Sequence, residues 1–191
     1  MCNVNLIFHR NDLRIFDNNA LKQAGSESFP VFVFDGEWLS HELVSDARKE
    51  FVLESLKDLN RQYSELGTHL VLLHGDPEEK LKSLSDDHEI YFNRDSNHFN
   101  QEREKYFTQR FNDFSQSPAT ENIERSNWDK EINSYFKRKS FEPPEKLSRP
   151  PIDSEVTIDK IRNKYEIDTG KEKFGEGGRA EALNRLYDFK E

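Results

Sequence analysis

Four short apolar runs, Val4–Phe8, Pro30–Phe34, Leu70–Leu73 and Ile90–Phe92, alternate with helical patterns along the first 115 residues. The runs are nearly continuous in apolar side chains, as expected of strands covered by helices on both faces. Asn19–Ala24 predicts a short helix that Asp17 or Asn18 can cap and Gly25 stops. Asp46–Leu66 predicts a long one, with Val52, Leu56, Leu59, Tyr63 and Leu66 on one face and Gly67 behind it. Asp76-Pro77-Glu78-Glu79 reads as a helix start: a capping carboxylate, a proline at the first position and a capping-box glutamate. Asn100–Phe114 carries Tyr106, Phe107, Arg110, Phe111 and Phe114 at helical spacing. This order predicts an α/β fold, a doubly wound, Rossmann-like parallel sheet of about five strands. Ligands of such sheets sit beyond the carboxyl ends of the strands, which singles out His9–Asp17, Asp35–Ser45, Gly75–Asp76 and Asn93–Phe99.

After Phe114 the alternation stops. Trp128, Ile132, Tyr135 and Phe136 predict an amphipathic helix ended by Pro143-Pro144. With Pro150-Pro151 this stretch reads as a semi-rigid connector over the domain surface. Thr157 can cap a short helix bearing Ile158, Ile161 and Tyr165. A polar, glycine-bearing link, Thr169–Gly178, precedes a last helix, Arg179–Phe189, with Leu183, Leu186 and Phe189 along one side. The expected organisation is therefore an α/β domain over 1–120, a linker with short helices over 121–178, and the start of a further helix over 179–191.

A net charge of −9 disfavours a stand-alone nucleic-acid binder, since phosphate attraction needs a concentrated positive field. Residues 1–115 hold 13 basic and 21 acidic side chains, so the acidity sits in the best-organised part. No apolar run is long enough to span a bilayer, and no signal-peptide pattern opens the chain, so a cytoplasmic location is expected. Cys2 is the only cysteine; it excludes an intrachain disulfide and a cysteine-rich zinc site, and with no evident base it reads as inert. The six histidines form no HExxH-type pair. His9 and His74, at strand ends, read as hydrogen-bonded strand-end residues. Gly175-Glu176-Gly177-Gly178 follows no strand and reads as a hinge rather than a phosphate loop. Lys137-Arg138-Lys139 reads as a solvated helix end. The densest constellation is His9–Leu21, where Asp12 with Arg10 and Arg14 can form a network that serves either a structural loop or an anion site.

Arg10-Asn11-Asp12-Leu13-Arg14, then Asp17-Asn18-Asn19-Ala20-Leu21, resembles the opening motif of the photolyase/cryptochrome family, with Asn11 in place of a common second arginine. Val31–Asp35 is similar to the family's second strand, Ala47–Leu56 to its long helix, Leu72–Pro77 to its third strand and turn, and Asn93-Arg94-Asp95 to the turn after the fourth. Asn127-Trp128, Tyr135-Phe136 and Gly177-Gly178 resemble microbial photolyase linkers. The resemblance implies the family's N-terminal antenna-chromophore domain, and through it a link to light-dependent repair of pyrimidine dimers in DNA. The enzyme it points to is deoxyribodipyrimidine photolyase, a carbon–carbon lyase. Nothing resembles the family's Thr-Ser-Arg-Leu-Ser flavin-phosphate motif, so FAD and catalysis are not expected on this chain alone. The implied partner is a separately encoded FAD-binding photolyase domain, with DNA met only indirectly and no membrane. A deazaflavin-type pigment is implied over a folate, whose pattern places Asn-Glu where this sequence has Phe99-Asn100. Phe34 would supply the wall, Asp35 an acceptor, Arg48 a partner for an anionic group, and Asn93 and Asp95 contacts to a ring edge; no catalytic residue and no metal ligand is expected. These residues also read as ordinary strand-end polar groups in a domain without pigment. The alternatives are a small nucleotide-binding or stress-type α/β protein, or an inactive photolyase gene fragment.

Overall fold

The computed structural model describes residues 4–95, 101–115, 123–168 and 175–189; Cys2, His98, Phe99 and Asn100 lie outside them. Five strands, β1 (Asn5–His9), β2 (Ser28–Asp35), β3 (Val71–Gly75), β4 (Ile90–Asn93) and β5 (Asn112–Phe114), pair in parallel in the order β3-β2-β1-β4-β5. Strand order reverses between β1 and β4, the place where doubly wound sheets open a crevice. Side chains alternate between the faces, as the pleat requires. Ile7 and Phe34 pack with Leu53, Leu56, Leu59 and Tyr63 on one side, and Leu6, Phe8, Val31, Val33 and Phe92 pack with Phe107 on the other.

The helices are α1 (Asn19–Ala24), α2 (Gly36–Ser40), α3 (Asp46–Glu65), α4 (Pro77–Leu84), α5 (Gln101–Thr108), α6 (Trp128–Lys137), α7 (Ile158–Lys164) and α8 (Arg179–Asp188). Asn18, rather than Asp17, caps α1. Asp76 caps α4 ahead of Pro77, and Thr157 caps α7. Residues 101–114 do not form the single helix expected over Asn100–Phe114. The chain turns after Thr108, and Asn112–Phe114 pairs with Tyr91–Asn93, where Phe114 stacks on Tyr91 at 6.0 Å. A three-residue edge strand is too short to interrupt a helical period legibly.

The connector after α6 runs over the surface and is also tied into it. Leu147, Ile161 and Ile167 are buried in the α3 face of the core. Glu155 donates its N–H to the Leu72 carbonyl at 2.9 Å, and Ser154 Oγ accepts from Leu72 N–H at 3.0 Å, so the strap covers the free edge of β3. The glycine segment before α8 is not a hinge. Gly177 N–H donates to Glu54 at 2.9 Å, and a Cβ on Gly177 would lie 2.1 Å from the Phe51 carbonyl oxygen. Close approach to α3 therefore demands glycine there. Among the described residues, no helix is long and apolar enough to cross a membrane.

Candidate functional site

Beneath the crevice lies a buried polar cluster built by the His9–Asn18 loop and the end of β4. Asp12 Oδ1 accepts from Arg10 N–H at 3.0 Å. Its Oδ2 accepts from Asn93 at 2.7 Å and Asn18 at 3.3 Å. Asn93 Nδ2 also donates to Asn18 Oδ1 at 2.8 Å, and Asn93 Oδ1 accepts Ala20 N–H at 3.0 Å. Burial pushes the Asp12 carboxyl up, but the His9 ring beside it, the Arg10 N–H and Asn93 outweigh this and hold it at about 2. The two arginines do not pair with Asp12 as the sequence suggested. Arg14 donates to the Asp17 carbonyl. Arg10 donates to the Asn93 carbonyl at 2.7 Å and to Glu104 at 3.2 Å, with its guanidinium 5.0 Å from the Phe92 ring centre.

His9 is wholly buried. Its Nδ1 lies 3.1 Å from the Asp12 carbonyl and its Nε2 2.6 Å from Tyr63 Oη. A carbonyl only accepts, so Nδ1 carries the hydrogen and Tyr63 donates to Nε2. Burial, with the Asp12 charge adding to it, pushes the Tyr63 phenol well above its ordinary range. His74, at the end of β3, meets Tyr165 Oη at 2.7 Å; burial and the neighbouring Lys164 and Lys80 push it down. Both strand-end histidines are hydrogen-bonded. Among the described residues, no His, Cys, Asp and Glu cluster fits a metal ion.

Above this floor opens a cleft of about 350 Å³. Phe32, Phe34, Trp38, Phe51 and Val52 supply apolar wall, and His9, Arg10, Asn11, Asp35, Arg48, Asp95 and Arg103 supply polar groups. Its size and its mix of apolar wall and placed polar groups are those of a small-molecule site. Arg103, reaching over from α5, donates to Asp35 at 2.6 Å and lies 3.7 Å from Glu78. Arg48 lies 6.0 Å from the Trp38 ring centre; among the described residues its guanidinium joins no ion pair. A second cavity of about 400 Å³ adjoins the first at Arg48 and Phe51.

Of the residues singled out by sequence, Phe34, Asp35, Arg48 and Asp95 line the cleft. Asn93 does not: its amide is spent inside the buried cluster on Asp12, Asn18 and Ala20. Asp35 is occupied as well, since Oδ1 caps α2 by accepting Glu37 N–H at 2.9 Å while Oδ2 takes Arg103. Asp95 holds Asn11. Sequence reasoning missed Trp38, Phe51 and Arg103. Trp38 stands in α2, within the Asp35–Ser45 stretch that the strand ends had already singled out, whereas nothing local marks Arg103.

The profile of the DNA photolyase family matches residues 5–121. Cryptochrome-1 of Anopheles gambiae is 38% identical over 91 residues, 42% of this chain and 17% of that protein. The deoxyribodipyrimidine photo-lyase of Halobacterium salinarum is 36% identical over 94 residues, 43% of this chain and 19% of its own length. The structure of a bacterial class III photolyase from Agrobacterium tumefaciens superposes with a TM-score of 0.73 at 21% identity, covering 99% of this chain and 45% of the other. An archaeal photolyase from Sulfolobus tokodaii, described with two FAD molecules and as implying a novel light-harvesting cofactor, gives 0.72 at 24% identity over 95% and 45% of the two chains. The chain thus spans less than half the length of these relatives. Nothing in these likenesses favours the small nucleotide-binding alternative.

Proposed function

The chain belongs to the DNA photolyase family, whose profile covers residues 5–121, and on that premise we propose that its cleft seats a planar light-harvesting pigment. The observation that carries the reading is the cleft itself: aromatic wall, strand-end position at the switch in strand order, and Arg48 at its border without an ionic partner among the described residues. The residues fit a deazaflavin-type ring system. Phe34 and Trp38 offer apolar surface, Arg48 an anchor for an anionic group, and Arg103, held by Asp35, a donor at a ring edge. Asp35 and Asp95 act through the groups they orient, Arg103 and Asn11. The Sulfolobus photolyase, described with two FAD molecules and as implying a novel light-harvesting cofactor, is consistent with a flavin-like rather than a folate occupant.

When bound, such a pigment absorbs light and passes the excitation on; the chain's own task is to hold it, orient it and keep water from its faces. The recipient in this reading is a flavin-bearing photolyase domain acting as partner, which carries out dimer repair and meets the DNA. The net charge of −9 supports leaving DNA contact to that partner. Leu186 and Tyr187 of α8 and Phe189 at its C-cap are exposed, an apolar patch of the kind that marks a contact surface.

The test is a titration of the purified chain with an 8-hydroxy-5-deazaflavin, FAD, methenyltetrahydrofolate and ATP, read by fluorescence anisotropy. The deazaflavin is expected to bind most tightly, at one per chain. Arg48→Ala should weaken it by about tenfold, the worth of one charge-assisted contact. Absence of pigment binding, or tighter binding of ATP, overturns the reading.

A further inference from the structure

We propose that Tyr63 and His9 form a proton-coupled redox pair beneath the cleft, able to give one electron to a photoexcited ligand bound there. The proposal rests on the pigment reading for its oxidant; the arrangement of the pair stands apart from it. Tyr63 is fully buried, and its ring centre lies 5.6 Å from that of His9, which itself lines the cleft. A buried phenol that loses an electron must lose its proton at the same time, since a radical cation is poorly tolerated away from water. Tyr63 Oη already donates to His9 Nε2 at 2.6 Å, and the Asp12 carbonyl holds the ring in the accepting tautomer. The imidazolium that results faces the Asp12 carboxylate, 3.7 Å from Nδ1, so the moved charge is compensated where it arrives.

The step balances. One electron leaves the Tyr63 ring for the excited pigment, the Oη proton moves to Nε2, and a neutral tyrosyl radical stands beside a protonated His9. Return of the electron and proton restores all three groups, and no net chemistry remains. The pair therefore discharges excitation that the pigment has not handed on. The other strand-end pair, His74 with Tyr165, has the opposite setting: Lys164 Nζ lies 3.4 Å from His74 Nε2, and Lys164 and Lys80 both disfavour a charged His74. Tyr165 thus serves as an internal control.

The unliganded chain is oxidised with azide radicals in a pulse-radiolysis experiment, and tyrosyl radical is followed by absorption and electron paramagnetic resonance. A long-lived radical is expected whose formation rate does not depend on buffer-base concentration, because the proton acceptor is internal. That long-lived component should vanish in Tyr63→Phe, shorten several-fold in His9→Gln, and persist in Tyr165→Phe, beside the short-lived signal of the exposed Tyr187. A yield unchanged in a folded Tyr63→Phe overturns the proposal. So does a formation rate of the long-lived component in the unaltered chain that rises with buffer base, a result that needs no variant to fold. In a second arm the deazaflavin is bound and flashed. Binding with an excited-state lifetime equal in wild type and Tyr63→Phe overturns the photochemical role and leaves the pigment reading standing. Failure to bind removes the pigment reading and its oxidant, while the azide arm still decides whether the pair is redox-active.

Discussion

Asp12 is 4% exposed and stays ionised because every donor around it is already oriented toward it. Its carboxyl titrates at about 2 instead of 3.8. A group depressed in the folded state contributes stability that is complete above the unfolded value and is lost as pH falls through the folded one. Asp12 is therefore expected to contribute roughly 2 kcal/mol at neutral pH, lost between 3.8 and about 2. Urea denaturation at stepped acid pH should show Asp12→Asn less stable than wild type at neutral pH, with the difference closing over that window. A constant difference down the series would refute this role. The sequence made Asp12 conspicuous, but its guanidinium partners were misassigned, because a backbone N–H and an asparagine from a distant strand leave no local trace. Asn93 was misplaced for the same reason. A strand-end asparagine looks like a ligand contact until Asp12, Asn18 and Ala20 are seen to use its amide.

At the scale of elements, α8 is held by α3 rather than by its own sequence. Gly178 at its N-cap offers no side chain, and Asp58 of α3 accepts Arg179 N–H at 2.9 Å in its place. Gly177 lets the two backbones approach. Gly177→Ala should detach α8, because the added methyl meets the Phe51 carbonyl, which cannot yield without breaking α3. Hydrogen exchange should then show the α8 amides losing protection while those of α3 keep theirs. Asp58→Ala should act in the same direction but more weakly, by about 1 kcal/mol; equal protection in Gly177→Ala and wild type would show that the contact is dispensable. Helices whose signal was local were legible: α1, α4 and α7 with their N-caps, and α3 by its apolar face and the glycine behind it. Two elements were not: α2, five residues long, is too short to show a period, and β5 exists only because β4 offers it an edge.

For the whole molecule, the strap that follows α6 counts as part of the core. It buries Leu147, Ile161 and Ile167 and closes the β3 edge, which would otherwise be a free pairing surface. A chain shortened to residues 1–121, the extent of the family match, should lose several kcal/mol, at about 1.5–3 kcal/mol per buried aliphatic side chain. Its thermal transition should move down steeply and its tendency to aggregate should rise; an unchanged transition would mean that the strap is ornamental to stability. By itself the sequence determined the layer order, the parallel sheet and the cleft's address at the strand ends, because apolar periodicity and caps are local signals that backbone sterics and burial must obey. The tertiary structure alone decided which strand-end side chains face the cleft and which are spent beneath it, that Arg103 crosses to Asp35, and that Tyr63 from α3 meets His9 from β1. Those outcomes depend on pairings between residues far apart in the chain, and no local pattern encodes a partner's position.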